Sequence, residues 1–73
     1  MKKIIFTGSN VGFKKVSFNR LLRSELGLSL SDAKNAVDSI LDEKEVVIEV
    51  ESQQLAEKIL YEASELNAIV KLE

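Results

Sequence analysis

The chain has 73 residues, with 10 basic and 12 acidic side chains and no His, Cys, Trp or Pro. That length holds one domain, expected over residues 1–73, and the missing side chains exclude thiol and imidazole catalysis, disulfides and soft-metal sites. A domain this small buries only roughly 60–65% of the surface its unfolded chain exposes, leaving little room for a deep substrate cleft beside a core. A non-enzymatic binding module is therefore expected, with no catalytic residue, cofactor or metal. Apolar runs reach only three residues, as in Ile4 to Phe6, far short of the ~18 a membrane span needs. Lys2 and Lys3 precede too short an apolar stretch for a secretion signal, so a cytoplasmic location without membrane contact is expected.

Net charge is −2 at neutral pH, but it is unevenly spread. Residues 1–23 carry +6 with no acid, and residues 24–73 carry −8. The basic part is a candidate for meeting an acidic partner.

Residues 2–7, rich in β-branched and aromatic side chains, predict a strand that ends at the turn formers Gly8, Ser9, Asn10 and Gly12. From Lys14 the period becomes helical, with Phe18, Leu21, Leu22 and Leu26 on one side, until Gly27 stops it as a C-cap. Ser29, with Asp32 three residues on, predicts the N-cap of a second helix, with Ser31 as the competing cap. Its apolar stripe is Ala33, Ala36, Val37, Ile40 and Leu41.

Glu45 to Glu51 alternates strictly and predicts a strand with Val46, Ile48 and Val50 inward. Ser52 then caps a third helix with an inward stripe of Leu55, Ala56, Ile59, Leu60, Ala63 and Leu66, and Ala68 to Leu72 alternates as a last strand. The order β-α-α-β-α-β fits an α+β two-layer sandwich: a three-stranded, mostly antiparallel sheet with three helices on one face and a polar face opposite.

Two chemical readings fail on spacing. Gly8 to Lys15 has three residues between its glycines and Phe13 after the second, where a P-loop needs four and then Lys with Ser or Thr. Asp42, Glu43, Glu45, Glu49 and Glu51 form an open carboxylate row, without the contrasting environments of an acid–base pair or the converging ligands of a hard ion. They read as solubilising, edge-protecting charge.

The first helix is different. Opposite its apolar side fall Val16, Asn19, Arg20 and Arg23, a basic outward stripe that no acid four residues along neutralises. Arginine at both central positions suits planar, bidentate recognition of carboxylate or phosphate. Lys34 in the first turn of the second helix opposes the helix dipole, which hints at a use other than stability.

Residues 15–38 read Lys-Val-Ser-Phe-Asn-Arg-Leu-Leu-Arg-Ser-Glu-Leu-Gly-Leu-Ser-Leu-Ser-Asp-Ala-Lys-Asn-Ala-Val-Asp. This stretch resembles the C-terminal domain of the bacterial large-subunit ribosomal stalk protein, the one numbered both seven and twelve. The shared features are Lys-Val, the two arginines three residues apart, Gly-Leu-x-Leu-x-(Glu/Asp)-Ala-Lys and Val-(Glu/Asp), all without a gap. The resemblance implies the same β-α-α-β-α-β sandwich. It also implies recruitment of translational GTPases through Lys15, Val16, Asn19, Arg20 and Arg23, with Gly27 and Leu28 at the bend and Lys34 beyond. Asn19 stands where that family favours an apolar Ile, and Phe18 replaces a smaller core residue. Loss of an apolar anchor is expected to weaken or redirect the contact.

If residues 1–73 are the whole protein, the stalk protein's N-terminal dimerising region and hinge have no counterpart, and a free-standing relative, acting as a decoy, as an adaptor or on a new partner, is the alternative expectation. The adaptor that feeds N-degron substrates to the Clp protease shares the general fold, but its pocket uses a His that this chain lacks. Two rivals use other surfaces or partners. One is nucleic-acid binding by the basic surface with Lys2, Lys3, Lys14 and Lys15, disfavoured by twelve acids and little aromatic interleaving. The other is self-association through Val47 and Ile69 on the open sheet face, so the chain is expected to be a monomer or a weak homodimer.

Overall fold

The computed structural model describes residues 2–73. Six elements follow in the order β1 (Lys2–Ser9), α1 (Lys15–Leu26), α2 (Leu30–Leu41), β2 (Val46–Val50), α3 (Gln53–Glu65) and β3 (Ala68–Leu72). The strands form one fully antiparallel sheet in the order β2-β1-β3. The fold is the α+β sandwich that the periodicities predict.

The first strand lies in the middle, and its burial follows from that position. Ile4 and Phe6 point into the core among Phe18, Leu22, Ile40, Ile59 and Ala63, all fully buried. Ile5 faces the other way, directly across from Val47 on β2 and Lys71 on β3, and is still only 5% exposed. The open face is therefore not simply polar. Half-exposed Val47 and Ile69 stand on it among Lys3, Glu49 and Lys71.

Strand β1 also runs two residues further than its composition predicts. Gly8 and Ser9 pair with Ile69 and Ala68 across a register shift between Phe6 and Gly8, so β3 holds residues that would otherwise turn. The turn proper then falls at Asn10 to Phe13. The Phe13 amide donates to the Asn10 carbonyl at 3.2 Å, and Gly12 has φ +89°, a value that favours glycine.

Helix ends follow local chemistry. The hydroxyl of Ser29 accepts from the Asp32 amide at 3.0 Å, and that of Ser52 from the Leu55 amide at 3.3 Å; each cap contributes about 1 kcal/mol. Gly27 closes α1 in the left-handed conformation, with φ +67° and its amide donating to the Arg23 carbonyl. That reversal lets α2 start three residues later and pack beside α1.

Burial is narrower than the predicted stripes on α2 and α3. Ala33, Val37 and Ile40 are buried on α2, but Ala36 is half-buried and Leu41 is 48% exposed. Leu41 lies ~100° around the helix from Ile40, which turns it off the core. On α3, Ala56, Ile59 and Ala63 are buried, while Leu55, Leu60 and Leu66 are half-buried.

Candidate partner-binding groove

The start of α1 has no side-chain cap and no acid in its first turn. The turn between α3 and β3 fixes it instead. The Lys14 amide donates to the Leu66 carbonyl at 3.1 Å, the Asn10 amide to the Asn67 carbonyl at 2.8 Å, and the Asn67 side-chain amide to the Gly12 carbonyl at 3.2 Å. Beneath the helix, Phe18 meets Phe6 edge-on at 5.1 Å and Phe13 at 5.4 Å. The outward face of α1 is thereby held at a fixed rotation over the sheet.

Two shallow grooves flank that face. Between α1 and α2 lies one of about 390 Å³, lined by Lys15, Val16, Asn19 and Arg23 from α1 and by Leu30, Lys34, Val37 and Asp38 from α2. Five of the sequence-predicted binding residues thus meet in one place. Val16 is 68% exposed and Leu30 63%, with buried Val37 beneath them, so the groove has an apolar strip set among three cations and one acid. The ion pairs among the described residues are Lys44–Asp42 and Lys58–Glu25, and neither involves Lys15, Arg20, Arg23 or Lys34.

Arg20 stands apart from this group. It lines the second groove, of about 420 Å³ between α1 and α3, together with Ser17, Leu21, Ser24, Glu25, Glu62, Glu65 and Leu66. Consecutive helical residues diverge by ~100°, so Asn19 and Arg20 fall on opposite sides of the outward ridge. The single stripe of the sequence reading becomes two surfaces, a cationic groove with Arg23 and one where Arg20 stands among Glu25, Glu62 and Glu65. Gly27 and Leu28 line neither: Gly27 forms the exposed bend and Leu28 packs half-buried against the core.

At the far end of the second groove the Lys58 ammonium donates to the Glu25 carboxylate at 2.9 Å. That hydrogen bond and the Glu25 charge hold Lys58 above the ordinary lysine range. Its share of stability is present below the ordinary lysine pKa and is lost only as pH rises through the raised one.

Of the α2 residues in this groove, sequence reading named Lys34 for binding and missed Leu30, Val37 and Asp38. Leu30 and Lys34 are four residues apart, and Val37 and Asp38 follow Lys34 by three and four, the signature of one helical face, with Leu30 directly after its cap. Among the described residues no group of three or more His, Cys, Asp or Glu could hold a metal ion, and no helix is long and apolar enough to cross a membrane. No protein-family model matches this chain, and no curated protein sequence matches it.

Proposed function

We propose that this chain is a non-enzymatic protein-binding domain of the cytoplasm, similar to the ribosomal stalk C-terminal domain, that docks an acidic surface of a translational GTPase. The α1–α2 groove carries the reading: Lys15, Arg23 and Lys34, free of intramolecular ion pairs among the described residues, surround the exposed Val16 and Leu30. Unpaired cations around an apolar strip suit a partner that offers carboxylates beside an aliphatic side chain. Asn19 at the centre replaces hydrophobic contact with hydrogen-bonding capacity, so charge leads the interaction and salt weakens it.

The test is a capture from bacterial lysate at low salt, with the wild-type chain beside an Arg23→Glu, Lys34→Glu variant. Elongation or initiation GTPases are expected on the wild type alone. Equal retention of them by both chains, or their absence from both, contradicts the proposal.

A further inference from the structure

The ligand chemistry that the α1–α2 groove selects is also present on the chain itself. Helix α3 turns Glu57, Tyr61 and Glu65 outward, all exposed, with Tyr61 61% open to solvent. They recur every fourth residue, so they form one ridge ~12 Å long with an aromatic ring at its middle. Lys58, next to Glu57 in the chain, is engaged by Glu25, and Arg20, which lines the α1–α3 groove with Glu65, makes no ion pair with it.

The groove has the same spacing. Lys15, Asn19 and Arg23 also recur every fourth residue along α1, placing two cations ~12 Å apart with an amide between them. Lys34 and the exposed Leu30 face them from α2. Laid helix against helix, the ridge sets Glu57 and Glu65 on the two cations and Tyr61 over Asn19, Val16 and Leu30. Tyrosine ringed by charge pairs is the type of side chain that anchors interfaces.

We infer that the α1–α2 groove binds the α3 ridge of a second copy of this chain, head to tail. This rests on reading the groove as a surface for acidic, apolar-anchored segments. Groove and ridge are different surfaces of one chain, so the contact is heterologous: each copy offers a free groove at one end and a free ridge at the other. Association therefore continues past two copies as concentration rises, and it masks the groove from other partners.

Light scattering at low salt on two variants tests it. One disables the groove, by Arg23→Glu with Lys34→Glu, and the other disables the ridge, by Tyr61→Ala with Glu65→Lys; all four positions are exposed, and circular dichroism checks that both fold. The wild-type mass is expected to rise with concentration above the 8.1 kDa of one chain and to return to it at high salt. Each variant alone is expected to stay at one chain, and their equimolar mixture to form a two-chain complex and stop there, since one groove and one ridge remain. A wild type that stays at one chain overturns the inference. So does association that survives in either variant alone, which assigns the contact to another surface such as the open sheet face, or a mixture that forms no complex. The ridge variant keeps its groove, so its capture of translational GTPases reports on the proposed function separately from self-association.

Discussion

Truncation of Phe18 to alanine is expected to lower the melting temperature by at least ~15 °C, followed by far-ultraviolet circular dichroism. Phe18 is fully buried, and its ring contacts two other rings, Phe6 of β1 and Phe13 of the turn before α1. Phe→Ala in a core costs about 3–5 kcal/mol, while a chain of this length has roughly 4–11 kcal/mol of stability in total. The loss therefore removes a large share of the folding free energy, and the aromatic contacts add to it. Phe18→Leu, which keeps most of the volume, is expected to fall much less. A shift under ~5 °C for the alanine variant contradicts the packing described here. The proposed docking is coupled to this residue because Phe18 sets the rotation of α1, and with it the direction of every groove residue that α1 carries.

The second large effect separates the two arginines. Arg23→Glu with Lys34→Glu is expected to weaken binding of a purified translational GTPase by at least ~30-fold, because two attractive contacts become repulsive. Arg20→Glu is expected to change it by less than ~3-fold, since Arg20 lines the other groove beside Glu62 and Glu65. Fluorescence anisotropy at fixed low salt measures both, with melting temperatures near wild type because all three side chains are exposed. Equal losses in the two variants contradict a site confined to the α1–α2 side.

This separation marks where sequence reading ends. Features set by near neighbours in the chain were readable: Ser29 and Ser52 as caps, Gly27 as the left-handed stop, and Val46 to Val50 as an alternating strand. Features set by distant partners were not. Gly8 and Ser9 read as turn residues and pair as strand because β3 lies beside them. Ile5 reads as one of a run of apolar residues, and only the central place of β1 explains its burial on the open face.

The proposed binding surface divides in the same way. A helical wheel puts Arg20 and Arg23 on the outward half of α1, and that much follows from the sequence. Which neighbour each one faces depends on α2 packing on one flank and α3 on the other, and no local pattern states that. Leu30 was missed for a related reason. It belongs to no predicted apolar stripe, and only the packing of α2 beside α1 brings it, 63% exposed, into one groove with Val16.

The central claim is that partner recognition lies in the groove between α1 and α2. Its most direct test is an amide chemical-shift map of this chain titrated with a purified elongation GTPase at low salt. The expected result is a set of shifts confined to Lys15–Arg23 and Leu30–Asp38 that shrinks as salt is raised. Shifts concentrated on the sheet or on α3, or none at all, contradict it.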